Sequence, residues 1–302
     1  MIYYWLLRSA VISRFVPLRV AYWGAIVLAE VMWLVRRDNR TAAIANMTQV
    51  VGERDAALAM AKRSFRNYGR YLVDFVRAPK IRPQAIREKV RFDRWDAIEE
   101  AMSGGRGVIF VLMHFGNWDM GGPALAERGY KVNVIAQTFE HDRLNEAVVA
   151  ARQVRGMNVI PAEHAAMGIV RALRRNEVLG ILIDRPMEEG GVEVNFFGRP
   201  TTVPAGPAWI ALRTGARVLP AALVRARDTE DVTLALVDLD VTISRTGDVE
   251  ADVRHLTRRI LESHERFIRA HPDQWFMFRP MWPRQQRDRQ RTGAEPALAA
   301  ER

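Results

Sequence analysis

The chain of 302 residues contains no cysteine. Disulfides, thiolate metal sites and a cysteine nucleophile are therefore excluded, and the redox compartment is left open. Lysine is scarce. It occurs only at positions 62, 80, 89 and 131, so 41 of the 45 cationic residues are arginine. Histidine occurs six times, at 114, 141, 164, 255, 264 and 271, without any HExxH-type spacing. A zinc site is not expected on that pattern, nor is any other metal or cofactor. There is no GxSxG elbow and no glycine-rich loop ending in Gly-Lys-Ser/Thr, which removes serine-nucleophile and P-loop chemistry. Long uncharged runs are missing as well. Within the apolar residues 1–40 the longest is Val20–Ala29, and even Val20–Val35, with Glu30 tolerated, is short for a bilayer span. No small-residue cleavage site follows, so a removed signal peptide is not expected.

What is present points to a folded protein at an anionic surface. Hydrophobic residues make up 49% of the chain, which excludes wholesale disorder. The formal charge is +10, which suits phosphate-bearing partners. Eight tryptophans beside so many arginines favour a membrane surface. The positive charge is spread over many segments instead of one patch, which argues against nucleic acid. Residues 1–40, flanked by Arg36, Arg37 and Arg40, are expected to form a helical anchor lying in the membrane interface, peripheral or monotopic. A core helix or a dimer contact is the competing reading.

From residue 41 onward the pattern becomes an alternation. Helices are predicted over 41–52 and Ala56–Val76, then over Asp93–Met102, Asp142–Arg155, His164–Arg175, Pro204–Thr214 and Val249–Ala270. Strands are predicted at Val108–Met113, Lys131–Ala136, Met157–Pro161, Val178–Asp184, Val218–Val224 and Val232–Val241, with a short strand or hairpin at 192–197. Alternating strands and helices imply an α/β fold with a mostly parallel central sheet flanked by helices. Residues 41–283 read as one domain, and 284–302 as a polar, disordered tail.

One stretch carries the most chemistry. In GGRGVIFVLMHFGNWDMGG, residues 104–122, an apolar run ends at His114, with Asn117 placed to cap a following helix and Asp119 five residues past the histidine. A histidine there sits beyond the carboxyl end of a buried strand, where open α/β sheets bind ligands. Asp119 is expected to accept a hydrogen bond from the imidazole and fix its tautomer, leaving the other nitrogen as a base. A satisfied structural histidine is the bland alternative. A second stretch, 184–216, brings Asp184 and Arg185 to the same sheet edge as His114, followed by Glu188 and Glu189 in a glycine-rich loop and by Phe196 and Phe197 as an apolar platform. Arg185 suits a phosphate or carboxylate and Glu188 a hydroxyl, or the segment is a surface turn with a structural Asp–Arg pair. A third, His271–Trp282, is either a packing element or part of an apolar groove.

The spacing of His114 and Asp119 matches an HX4D signature. Together with Asp184-Arg185, GGVEVNFFG at 190–198, PAGPAWIALRTGA at 204–216 and HPDQW at 271–275, the chain resembles the glycerolipid acyltransferase superfamily. Within it, the resemblance is to the bacterial lipid A biosynthesis and phosphatidylinositol mannoside acyltransferases, with HFGNWD closer to the mannoside enzymes. The resemblance implies a hydrophobic groove, an acyl-CoA or acyl-carrier-protein donor, a glycolipid acceptor, and work at the cytoplasmic face of a bacterial inner membrane. It implies His114 as the base, Asp119 as its partner and Glu188 as an orienting group. It also implies Arg152 and Arg185 near phosphates, and the amides of Gly116 and Asn117 near the oxyanion. A lipid A-type or lysophospholipid acyltransferase, or a non-catalytic anionic-lipid-binding protein, are the alternatives.

Overall fold

The computed structural model describes residues 15–139, 141–226, 232–239, 241 and 244–282. The first 14 residues of the expected anchor and the tail 284–302 lie outside the described residues. Seven strands form the central sheet: β1 (Val90–Phe92), β2 (Val108–Leu112), β3 (Val132–Ala136), β4 (Met157–Pro161), β5 (Val178–Leu182), β8 (Arg217–Arg225) and β9 (Thr233–Val237). Their order is β1-β9-β8-β2-β5-β3-β4. All neighbours are parallel except β8 and β9, which pair antiparallel. The sheet is thus mostly parallel, with β1 and β9 reversed at one edge. The predicted hairpin is β6 (Val192–Phe196) with β7 (Arg199–Val203), a separate antiparallel pair.

Helices cover both faces, as a buried parallel sheet requires. In chain order they are α1 (Leu18–Val35), α2 (Arg37–Val51), α3 (Arg54–Arg77), α4 (Pro83–Lys89), α5 (Trp95–Ser103), α6 (Gly121–Ala126), α7 (Asp142–Gln153), α8 (Ala165–Arg174), α9 (Gly206–Thr214) and α10 (Val249–Ala270). Side-chain alternation divides β2 and β5 cleanly. Ile109, Val111, Leu179 and Ile181 face one core with α2, α3, α8, α9 and α10, while Val108, Phe110 and Val178 face another with α5 and α6.

The α1 helix runs against α3. Tyr22 donates to Asp74 at 2.6 Å, Glu30 pairs with Lys62 and Arg66, and Trp33 meets Phe65 edge-on. Gly69 allows the approach, since a Cβ there would stand 2.9 Å from the Ala25 carbonyl oxygen. The opposite side of α1 exposes Val20, Trp23, Val27, Val31, Leu34 and Val35. By length and composition α1 is the one described helix able to cross a membrane, longer than the uncharged run suggested.

Candidate active site

His114 follows β2 and Asp184 follows β5, and the two strands are paired so that residue 108 meets 178 and 112 meets 182. The same offset brings His114 beside Asp184. The imidazole Nδ1–H donates to Asp184 Oδ1 at 2.7 Å, and the His114 backbone N–H donates to Oδ2 at 3.0 Å. Trp275 Nε1–H adds a third bond to Oδ2 at 3.1 Å. Asp184 is fully buried, whereas the His114 side chain keeps 21% exposure. Burial opposes the Asp184 charge. The His114 imidazole and the three hydrogen bonds overcome it and hold the carboxyl below its ordinary range. With Nδ1 committed to a carboxylate, Nε2 is the nitrogen left to take a proton.

The expected partner, Asp119, is elsewhere. It lies in a single 3₁₀ turn, Trp118–Met120, and the short turn swings its carboxylate toward α3 and α7. There it accepts from Tyr71 Oη at 2.6 Å and from Arg152 Nε at 2.8 Å. Burial, then the Asp119 carboxylate, push the Tyr71 phenol well above its usual pKa. Burial works against the Arg152 charge, and Asp119 outweighs it, raising the guanidinium. Arg152 is therefore held inside the protein by Asp119. The link back to His114 passes through rings: Tyr71 stacks on Trp118 at 3.9 Å, and Trp118 meets the imidazole edge-on at 5.4 Å.

Three further expectations are corrected. The amides of Gly116 and Asn117 are both used by the fold, donating to the carbonyls of Gln274 and Leu223 at 2.8 Å, so neither is left for an oxyanion. Gly116 is glycine because its φ is +55° and a Cβ would overlap the Leu223 carbonyl. Asn117 makes no side-chain cap, and its amide instead donates to buried Asp74, which also pairs with Arg225 of β8. Phe196 and Phe197 are buried, packed against Trp275 and Trp282, so they support the wall behind Asp184 and present no open platform. Glu188 is exposed and makes no hydrogen bond to His114 among the described residues. Arg185 is exposed beside the pair, with a bond to Gln137 at 3.1 Å. Desolvation by the surrounding protein, then the neighbouring Arg279 guanidinium, lower its pKa.

Sequence reasoning missed the histidine's carboxylate and the strap that holds it. Residues 271–282 cross the top of the site. Phe276 N–H donates to the His114 carbonyl at 2.8 Å, and Asn46 on α2 donates to the carbonyls of Met277 and Arg279. The available signal was the equal length of the two strands. An apolar run ending in His and another ending in Asp, aligned as neighbours, face each other.

Below the pair lies a narrow, partly open apolar cavity of about 60 Å³. It follows one sheet face through Phe110, Leu112, Val178, Gly180 and Leu182, the rows that lead up to His114 and Asp184. Its charged lining residues are Asp119 and Arg152.

The sequence also matches known proteins. The family described as bacterial lipid A biosynthesis acyltransferase matches residues 1–284. A phosphatidylinositol mannoside acyltransferase of Mycobacterium tuberculosis (strain ATCC 25618 / H37Rv) is 31% identical over 248 residues, covering 78% of this chain and 75% of the relative. One of Mycolicibacterium smegmatis is 28% identical over 243 residues, covering 78% and 77%.

Proposed function

Since this chain belongs to the bacterial lipid A biosynthesis acyltransferase family, and is an acyltransferase, we propose that it moves a fatty acyl group from a thioester, acyl-CoA or acyl-carrier protein, to a hydroxyl of a phosphatidylinositol mannoside-like glycolipid. The observation that carries the reading is the buried Asp184 carboxylate on His114 Nδ1 above an apolar cavity. His114 Nε2 takes the acceptor proton as the oxygen attacks the thioester carbonyl. The tetrahedral intermediate then expels the thiolate, which leaves with the proton returned by the imidazolium. No acyl-enzyme forms. Asp184 keeps Nδ1 protonated and balances the transient imidazolium charge. The adjacent Arg185 and Arg279 meet phosphate. Arg152, by contrast, serves Asp119.

Membrane association belongs to the same proposal. The side of α1 away from α3 offers an apolar stripe ending at the exposed Arg36 and Arg37, which suits a helix lying in the interface. A crossing α1 would draw the charged Lys62 and Arg66 of α3 toward hydrocarbon, which disfavours spanning. The test is thiol release from palmitoyl-CoA or palmitoyl-carrier protein, with phosphatidylinositol mannosides, lysophospholipids and lipid A precursors as acceptors. Release that depends on the mannoside and leaves an acylated mannoside supports the reading. Release that depends only on another acceptor reassigns the substrate.

A further inference from the structure

Beyond residue 35, three exposed apolar side chains stand at the sheet edge that carries His114. Met167 is 79% exposed, Trp209 46% and Phe139 43%. Chain topology puts them there. Phe139 lies just past the end of β3. Helix α8 leads into the start of β5 and α9 into the start of β8, both parallel to β2. The first turns of the two helices, with Met167 and Trp209, are therefore level with the strand ends that bear His114 and Asp184. Val154, also exposed, lies at the opposite edge, just before β4.

Scattered apolar residues on a surface need no explanation. These two helices are alike in a further respect. Each places an exposed arginine one turn behind its apolar tip, Arg171 four residues after Met167 and Arg213 four after Trp209. Neither helix carries an acidic residue, and Arg174 and Arg175 follow Arg171. Glu163, just ahead of α8, is bonded to Thr138. Four residues span about 6 Å of helix. Apolar groups seated in a membrane interface reach about 5–10 Å below the headgroups, where cations are attracted by anionic lipid. A tip of Met or Trp with arginine one turn above it fits that layer.

The place of the two helices also fits. Helix α8 packs on β3, β4 and β5, and α9 lies beside it. On the other side of β2 and β5 is β8, where Arg225 donates to Tyr22 of α1 at 3.0 Å. In sheet order, His114 and Asp184 stand between the attachment of α1 and the strands β3 and β4. We propose that the first turns of α8 and α9, tipped by Met167 and Trp209, are a second membrane foothold that sets the mouth of the active site on an anionic lipid surface. This extends to a second surface the membrane association read from α1.

The chain has no cysteine, so one introduced cysteine takes one label. Full-length Met167→Cys, Trp209→Cys, Trp23→Cys and Val154→Cys each receive an environment-sensitive fluorophore. Each is then mixed with vesicles of phosphatidylcholine and phosphatidylglycerol in equal parts, with and without a nitroxide quencher on the acyl chains. Labels at 167 and 209 should shift to the blue and be quenched, and the label at 154 should not. Met167→Glu combined with Trp209→Glu should weaken vesicle binding about tenfold or more, with melting unchanged. Silence at 167 and 209 with quenching at 23 overturns this proposal and leaves the α1 reading. Silence at all four positions overturns both. Quenching at 154 equal to that at 167 is general adsorption and overturns the second foothold. A blue shift at 167 and 209 that needs no vesicles and grows with protein concentration assigns the surface to a second copy of the chain, and overturns it as well.

Discussion

Asparagine at 184 would present an amide to the imidazole where it now meets a carboxylate. An amide N–H pointing at Nδ1 favours the opposite tautomer, with the proton on Nε2, and the base is lost without loss of volume. Asp184→Asn should therefore cost about 10²–10⁴-fold in turnover, the usual worth of general base catalysis, with melting little changed. Asp119→Asn acts through another route. It leaves the largely buried Arg152 guanidinium without its anion, and removing one partner of a buried pair costs about 3–5 kcal/mol. That variant should show a clear drop in melting temperature, measurable by calorimetry, whatever its activity. Trp275→Phe removes one of the three bonds to Asp184 while keeping most of the ring packing. A fall of about tenfold in kcat is expected, in line with about 1.5 kcal/mol for a hydrogen bond to a charged group. At this scale His114 was legible from its place after an apolar strand, and Asp184 was legible as a neighbour of the same edge. Their pairing was not, because it depends on strand order. Asp119, closer in sequence, looked the better partner until the 3₁₀ turn took it away.

Between elements, α10 is tied to β2 by His264, whose Nε2–H donates to the Val111 carbonyl at 3.0 Å while Nδ1 is buried without a partner among the described residues. Burial pushes this imidazole down to about 4, so the folded protein binds it neutral. The unfolded chain takes up a proton near the ordinary histidine value. The stability contribution is therefore complete above about pH 6.5 and is lost as pH falls toward 4, by about 1.4 kcal/mol per pH unit between them. Urea unfolding at pH 7 and pH 5 should show this loss, and His264→Gln should flatten it while lowering stability at pH 7. Most elements were legible in the periodicity: β2, β3, β4 and α10 stand within a residue or so of their predicted bounds. The reversal of β9 against β8 was not, since an antiparallel edge strand carries the same alternation as a parallel one. The strap 271–282 reads as a packing element, and it is one. Its hydrogen bonds to His114 and Asp184 make that packing part of the site, which no local pattern signals.

For the whole molecule, α1 has two apolar sides with different duties. Tyr22 and Trp33 hold it to α3, so deleting residues 1–36 would damage the fold as well as any anchor. The exposed side is separable. Trp23→Glu combined with Val27→Glu should weaken binding to vesicles containing anionic lipid about tenfold or more, with melting unchanged, because binding scales with buried apolar area and attraction to lipid charge. Unaltered vesicle binding would remove α1 from the interface. The arginine-rich, +10 composition announced an anionic partner without saying where. The α/β class followed from the alternation of strands and helices, and the family from five separate stretches of sequence. The account turns on the claim that His114 works with Asp184. Its most direct test is acceptor-dependent thiol release from palmitoyl-CoA by wild type, His114→Ala and Asp184→Asn, at matched folded fraction. Both variants should lose about 10²-fold or more, and Asp184→Asn turning over within about threefold of wild type would contradict it.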